Sequence, residues 1–158
     1  MNIFALHDDP QRAAEMHCDK HVVKMVLESA QILSTVHHMY DTSHTTKIYR
    51  PTHKAHPCTL WAAENTANYA WLRDLYWQLG IEYTYRYGKM HKSMEIFNYL
   101  SDIPYQMTIE HQHTPFARAM PDQYKYFDDP IDSYRAYYIN EKAHILQYTR
   151  RDKPEWLN

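Results

Sequence analysis

The sequence predicts an all-α protein, a single helical domain that spans residues 1–158 and contains about four to five helices. Only two glycines occur in 158 residues, and long stretches carry no turn signal. Strict alternation of apolar and polar residues is rare, which disfavours strands. The length suffices for one domain with a proper core and is short for two.

The first helix is predicted between about residue 11 and about residue 38. It follows the apolar lead-in "NIFAL", which suits either a short strand or an extended segment. Asp9 and Pro10 form a plausible helix start, because aspartate caps a helix and proline tolerates the first helical position.

The second helical segment begins near Pro57 or Thr59 and ends at Gly80 or, with a bend, at Gly88, since glycine in either place suits a C-terminal cap. A third, shorter helix is predicted over residues 89–100. Three prolines then break residues 101–128 into a long irregular connection. Such connections often carry function.

The last helix has a clear start in the sequence. Asp129 can cap it, Pro130 takes its first position, and Asp132 favours the positive end of the helix dipole. We expect this helix to end near Tyr148 and the remaining residues to form a docked tail.

A narrow polar lane runs along the first predicted helix, which is otherwise apolar over most of its circumference. At 100° per residue, a band roughly 80° wide contains His17, His21, Lys24, Glu28 and Gln31. One interpretation is a solvated strip in which Lys24 and Glu28 form an ordinary i,i+4 pair. We favour the other, in which the lane is the floor of a cleft, because its residue types suit proton transfer and hydrogen bonding.

Two further clusters are candidates for ligand contacts. Asn65 and Asn68 share a helix face with Trp61, although a core tryptophan beside two surface asparagines explains the spacing equally well. Arg86 and Lys89 alternate with tyrosines in "EYTYRYGKMHK". Basic groups hold phosphates and aromatic rings stack on bases, so this pattern suits nucleic acid, and a charged surface with half-buried tyrosines is the alternative.

Composition bounds the function. The formal net charge of −2 gives no overall basic field, so an anionic ligand must be held by a local cluster. The start of the chain lacks a secretory pattern, and we expect a cytoplasmic protein with free thiols at Cys18 and Cys58. No apolar run approaches the roughly 20 residues of a membrane span, and the sequence leaves the oligomeric state open.

Metal binding is the third chemistry that the sequence raises. His17 and His21 are spaced i,i+4, and His53 and His56 lie in the following loop. Cys18 occupies the position where a zincin helix carries its glutamate, and no Cys-x-x-Cys pair exists. We therefore expect no metal and no other cofactor, and keep a histidine-dependent metallohydrolase only as an alternative.

Three stretches together resemble the pyrimidine-dimer DNA glycosylase family and its uncharacterised bacterial and phage relatives. They are "HVVKMVLESAQIL", "HPCTLWAAENTANYAWL" and "IEYTYRYGK", and the likeness covers about half of the chain, from His17 to Lys89. The likeness consists of three features in the same order. A lysine is followed by a glutamate four residues later and a glutamine three residues after that; His-Pro then precedes a tryptophan-bearing helix; and an acidic and aromatic segment ends in arginine. A further likeness to small phage proteins implies a phage or bacterial setting, the cytoplasm being then that of the host.

The resemblance implies an all-helical protein that binds damaged duplex DNA and flips a nucleotide out of the stack. In the family a backbone α-amine attacks C1′ of the sugar while a glutamate assists. Carried onto this sequence, the carboxylate is Glu28, with Lys24 and Arg86 as phosphate or sugar contacts. The family exposes its amine by removing the initiator methionine before a small residue. Asn2 should instead leave Met1 in place, so we expect a lysine to replace the amine if the chemistry is retained.

The leading hypothesis is a nucleic-acid- or nucleotide-directed enzyme that resembles DNA N-glycosylase/lyases. Glu28 is the predicted acid, base or electrostatic carboxylate, with Lys24 and His21 beside it. The predicted substrate-binding residues are His17, Gln31, His56, Asn65, Asn68, Arg86 and Lys89. The main alternative is a non-catalytic protein of phage origin that binds a nucleotide or small anion. The predicted partner is DNA or a nucleotide in either case.

Overall fold

The computed structural model describes residues 1–158 and is all-helical, which confirms the predicted fold class. It contains six α-helices, one more than the upper end of the expected range. They are α1 (Pro10–Met16), α2 (Asp19–Met39), α3 (Pro57–Glu64), α4 (Thr66–Tyr87), α5 (Phe97–Leu100) and α6 (Pro130–Glu141). Short 3-10 turns at Lys92–Ile96, Asp122–Tyr124, Ala143–Ile145 and Glu155–Leu157 complete the secondary structure.

The first predicted helix is in fact two, because the chain is extended at His17 and Cys18, with ψ values of 135° and 163°. Neither proline nor glycine stands there. Tertiary partners hold the break instead: the Cys18 N–H donates to the Tyr138 hydroxyl (3.3 Å), and the Asp19 N–H donates to the Gln147 carbonyl (2.8 Å). These partners are more than 100 residues away in the sequence, so local periodicity could not indicate the break.

The second helical segment is also divided, at Asn65, whose extended backbone has φ −159° and ψ 170°. Its side-chain oxygen accepts the Asn68 N–H at 2.9 Å and so caps α4. The helix then passes Gly80 and ends at Gly88, which adopts the left-handed conformation with φ 73°. Gly80 does not end the helix. It lies against Met94 of the following 3-10 turn, and a Cβ at this position would collide with the Met94 side chain unless that side chain moved.

The later elements depart more from expectation. The third predicted helix is a 3-10 turn followed by the four-residue α5. The connection to α6 is irregular apart from the turn at Asp122–Tyr124. Helix α6 ends at Glu141 and not near Tyr148, and the tail returns to the start of α2, where the Thr149 N–H and hydroxyl both donate to Asp19.

One apolar cluster of 32 buried residues forms the core, and α2 lies at its centre, packed against α3, α4 and α5. The lead-in is extended and buried from Ile3 to Leu6, with no strand partner. Phe4 packs there against Tyr134 and Tyr138 of α6, both fully buried. The N-terminal segment is therefore held against the middle of the domain, beside α2.

No helix is both long enough and apolar enough to cross a bilayer.

Candidate active site

Glu28 meets the amino terminus of the chain in the middle of α2. Its Oε1 atom lies 3.3 Å from the Met1 α-amino nitrogen and 3.8 Å from Lys24 Nζ. Glu28 is 8% exposed as a residue. The Met1 side chain is only 4% exposed, while the residue as a whole is half-buried, so its accessible part is the main chain that carries the amine. The fold thus places a primary amine next to a carboxylate.

Unused hydrogen-bonding capacity distinguishes this carboxylate. Both of its ionic contacts fall on Oε1. The only fully buried side-chain nitrogen or oxygen atoms without a partner are His17 Nε2 and Thr59 Oγ1, so Glu28 Oε2 is not sealed away. The Lys24 side chain is 64% exposed and extends into solvent. A ligand could therefore still bind Oε2 and the lysine ammonium group.

His56 lies at the edge of this site, as the N-cap of α3. Its Nδ1 accepts the Cys58 N–H at 3.1 Å, so the neutral ring carries its proton on Nε2. Burial lowers the pKa of His56, and the nearby amino terminus and His53 lower it further, while Glu28 opposes them. His56 is therefore a neutral ring whose Nε2–H can donate a hydrogen bond.

The loop before α3 is fastened to the same part of α2. The Thr52 N–H donates to Thr35 Oγ1 (3.1 Å), and the Tyr49 N–H donates to Ser34 Oγ (3.3 Å). Arg50 and Lys54, which flank Thr52, are exposed. Main-chain hydrogen bonds therefore fix the path of a loop that carries two free cations, and Gln31 lies half-buried on α2 between Glu28 and this loop.

The two predicted histidines of the polar lane lie inside the core. His17, in the linker between α1 and α2, is fully buried with Nδ1 2.6 Å from the Ala13 carbonyl oxygen, and burial lowers its pKa to about 4. The His21 ring stacks on Phe4 at 4.4 Å, and its Nδ1 lies 2.6 Å from the Tyr138 hydroxyl. Burial lowers the pKa of His21 to about 3. These contacts keep both rings away from solvent, and we do not group them with Glu28.

Arg86 belongs to a different charge cluster. Its guanidinium group donates to Glu82 Oε1 (2.9 Å), Asp19 Oδ1 (3.0 Å) and the Glu15 carbonyl oxygen (3.0 Å). Asp19 precedes Glu28 by nine residues on α2, a separation of about 14 Å along the helix axis at 1.5 Å per residue. The structure therefore does not bring Arg86 to Glu28.

Asn65 and Asn68 make only internal hydrogen bonds. Asn65 caps α4, while the Asn68 amide group donates to the Trp61 carbonyl (2.8 Å) and accepts the Thr114 N–H (2.8 Å). They join α3, α4 and the long connection, and both polar atoms of the Asn68 amide group are used in these contacts.

Lys89 is exposed in the turn after α4. His91 Nε2 lies 2.9 Å from the Val23 carbonyl oxygen, which brings this turn alongside the exposed side of α2. Of the two basic residues predicted from the tyrosine-rich stretch, Lys89 is thus the exposed one.

The Met1 amine is a candidate site group that the sequence argument missed. The sequence indicated that Met1 is retained, and from this we expected a lysine as the replacement nucleophile. The structure instead places the amine of Met1 itself beside Glu28. Only the resemblance pointed to an α-amine, because nothing in residues 1–6 indicates where that amine lies.

Neither a metal site nor the apolar groove of the structure lies at Glu28. No group of three or more histidine, cysteine, aspartate or glutamate side chains is arranged to hold a metal ion. An apolar groove of about 530 Å³ lies between α4 and the segment that follows it, lined in part by Trp77, Ile81, Met90 and Phe97. None of its lining residues belongs to the Glu28 site, so the cleft predicted along α2 stays a prediction.

Comparison with known proteins gives one match. The family model described as pyrimidine dimer DNA glycosylase matches residues 1–96 of the 158. No curated protein and no solved structure matches the chain significantly. The matched part includes Met1, Lys24, Glu28 and His56, whereas the long connection, α6 and the tail lie beyond it.

Proposed function

Because the chain belongs to the pyrimidine dimer DNA glycosylase family, we propose that it is a DNA N-glycosylase with lyase activity and that the Met1 α-amine is its nucleophile. The observation that carries the proposal is the 3.3 Å separation between the Met1 nitrogen and Glu28 Oε1. A primary amine is a nucleophile when neutral, and a carboxylate at this distance is positioned to take its proton.

The proposed reaction balances without a cofactor. The Met1 nitrogen attacks C1′ of the damaged nucleotide, a C1′–N bond forms, and the glycosidic bond breaks. The electron pair of that bond leaves with the base, which takes up a proton. Loss of protons from the attached nitrogen and opening of the sugar ring then give an imine. Removal of a C2′ proton breaks the C3′–O bond and releases the 3′ phosphate, and hydrolysis of the imine regenerates the amine.

Glu28 has two roles in this scheme. Its carboxylate takes a proton from the amine before or during attack, and its negative charge stabilises the positive charge that develops at C1′. Its free Oε2 can serve one role while Oε1 remains with the amine. Electrostatic stabilisation of this kind is strongest in a site that excludes water, which suits a residue that is 8% exposed.

Substrate contacts are assigned to the free groups around this pair. Lys24, beside Glu28, and Lys89, in the turn that reaches the Val23 carbonyl of α2, are exposed cations and would contact phosphates. His56 would donate from Nε2–H to the sugar or base, and Gln31 would contact the flipped nucleotide. Because the chain has a net charge of −2, these local cations must supply the DNA affinity, and binding should weaken steeply with salt.

Borohydride trapping tests this function. Protein with a free Met1 amine is incubated with a labelled duplex that contains one thymine dimer, a second duplex with one abasic site, and an undamaged duplex. We expect a reduced covalent complex with the first two, strand cleavage on the 3′ side of the attacked sugar, and peptide mapping that places the adduct on Met1. An N-terminal extension should abolish trapping, and its exact removal should restore it.

Each contrary outcome identifies a different error. Trapping at a lysine would show that the nucleophile is wrongly assigned, although the reaction class would stand. Absence of trapping with both damaged duplexes, while binding persists, would support the non-catalytic nucleotide- or anion-binding alternative.

A further inference from the structure

Asn2 uses its whole side chain to hold the N-terminal segment between two other parts of the fold. Its Oδ1 accepts the Ile3 N–H (2.7 Å) and the Cys58 thiol of α3 (3.4 Å). Its Nδ2 donates to the Ala119 carbonyl oxygen in the long connection (2.9 Å). The residue that carries these contacts directly follows the one whose amine meets Glu28.

The segment around Ala119, which accepts the hydrogen bond from Asn2, is itself held by several hydrogen bonds. The Ala119 N–H donates to the hydroxyl of Tyr134, a fully buried residue of α6, and the same hydroxyl donates to the Ala117 carbonyl. The neighbouring Arg118 donates to the Lys125 and Asp128 carbonyl oxygens, each at 2.8 Å. Ala119 therefore lies in a segment with little freedom to move.

Cys58, the other tertiary partner of Asn2, also lies in a fixed part of the fold. Cys58 is buried in the first turn of α3, and burial raises the pKa of its thiol to about 11, so it remains a protonated donor to Asn2. The Asn2 side chain thus has one tertiary contact in the family-matched part of the chain and one beyond it.

We propose that Asn2 is a positioning residue that holds the Met1 amine against Glu28 by joining the N-terminal segment to Cys58 and Ala119. The inference rests on the proposed function, in which that amine is the nucleophile. Asn2 acts at two stages: its size keeps the initiator methionine in place, and its amide then fixes where the methionine nitrogen lies. The part of the chain outside the family match therefore contributes to the reactive geometry through Ala119.

The expected effect follows from the sensitivity of such reactions to placement. An amine on a chain terminus is connected to the fold on one side only, so Asn2 and the buried Met1 side chain supply its nearest fixed points. Misplacement of a reacting group by about 1 Å can reduce the rate by about 10²-fold. A positioning role predicts that kcat falls while KM, which reflects phosphate contacts made elsewhere, stays nearly constant.

Two substitutions separate the two stages. Asn2→Leu keeps a side chain of similar size, so Met1 is retained, but removes all three polar contacts. We expect kcat for abasic-site cleavage to fall about 10-fold or more at an unchanged KM. Asn2→Ser allows removal of Met1 and shifts the terminal nitrogen by one residue, about 3.8 Å of chain. We expect intact mass to show loss of the methionine and trapping to fall about 10²-fold or more.

Asn140→Leu is the matched control. Asn140 is exposed on α6 and also donates to a main-chain carbonyl, that of Ala136 at 2.8 Å. This variant should match the wild-type protein in kcat, KM and trapping. Thermal melting of all variants shows whether a lost rate reflects unfolding, and crystal structures of the wild type and Asn2→Leu give the distance from the Met1 nitrogen to Glu28 Oε1.

Full kcat in Asn2→Leu, or a Met1–Glu28 distance unchanged from the wild type, would overturn the positioning role while leaving the proposed function intact. A parallel loss of folded protein, with normal kcat per folded molecule, would show that Asn2 is only structural. If the wild-type protein itself fails to trap either damaged duplex, the proposed function fails, and the distance comparison still decides whether Asn2 positions the amine.

Discussion

Two charge clusters along α2 contain similar chemical groups but differ in how completely those groups are bonded. Near the start of the helix, Asp19, Glu82, Arg86 and Arg151 form a buried ion-pair cluster, with Arg151 donating to both oxygens of Glu82 at 3.0 and 2.8 Å. In the middle of the helix, Glu28 has ionic contacts on one oxygen only.

The ion-pair cluster is saturated. The Arg86 side chain is fully buried, and Asp19 accepts from both the N–H and the hydroxyl of Thr149 as well as from Arg86. Hydrogen bonds from Thr149 and Arg86 hold the pKa of Asp19 below its usual value against the opposing effect of burial. Each guanidinium nitrogen of Arg86 and each carboxylate oxygen of Asp19 and Glu82 has a partner, so this cluster fastens the tail and α4 to α2.

The difference teaches that charged residues in a pattern do not by themselves mark a site. The sequence singled out Glu28 as the catalytic carboxylate and Arg86 as a substrate contact, and both are buried. The useful distinction is unused bonding capacity, which Glu28, Lys24 and the Met1 amine have and Arg86 lacks. The comparison predicts that substitutions in one cluster change stability and those in the other change activity.

Arg86→Met should have the largest effect, on stability. It leaves the Glu82 and Asp19 carboxylates with fewer partners in a buried setting, and breaking a buried ion pair in this way costs about 3–5 kcal/mol. Urea unfolding monitored by circular dichroism measures the loss, and Arg73→Met, at a partly exposed pair with Asp74, is the control that should cost under about 1 kcal/mol. Near-wild-type stability of Arg86→Met would mean that the cluster is not structural.

Glu28→Gln should have the opposite profile. Glutamine keeps the shape of glutamate but removes the charge that takes a proton and stabilises the developing cation. We expect turnover per folded molecule to fall about 10²-fold or more, with a smaller loss of unfolding free energy than in Arg86→Met, because Lys24 and Glu28 Oε2 are not sealed from solvent. Glu82→Gln is the matched variant, expected to lose stability and to retain turnover per folded molecule. Full activity of Glu28→Gln would remove Glu28 from the mechanism.

Protonation of a single core histidine in acid should destabilise the protein by a smaller amount. The pKa of His17 in the folded protein is about 4 and that of His21 about 3, both below the ordinary value of 6.5. The unfolded chain therefore binds more protons between these values, so stability is complete above about pH 6.5 and falls as the pH decreases toward 4. His17 alone corresponds to about 2 kcal/mol at about pH 5.

Thermal melts between pH 7.5 and pH 5 measure this dependence. His17→Leu removes the titrating group and should flatten the pH dependence by about one proton. An equal slope in His17→Leu and wild type would mean that other groups dominate the acid response.

Much of the secondary structure was predictable because its signals are local. The Asp9–Pro10 and Asp129–Pro130 pairs begin α1 and α6 as expected, with each aspartate accepting a main-chain N–H within three residues. Pro57 begins α3 and Gly88 ends α4. The spacing of Lys24 and Glu28 was equally local, since residues four apart on a helix are neighbours.

The sequence by itself determined an all-helical domain, the starts of its main helices and the presence of a polar lane on α2, because each depends on residues within a turn or two of one another. Only the tertiary structure decided how that lane divides. Tyr138 and Phe4 take His21 into the core, and the folded N-terminal segment brings the Met1 amine to Glu28. Such outcomes depend on contacts between residues far apart in the chain, for which local periodicity carries no information.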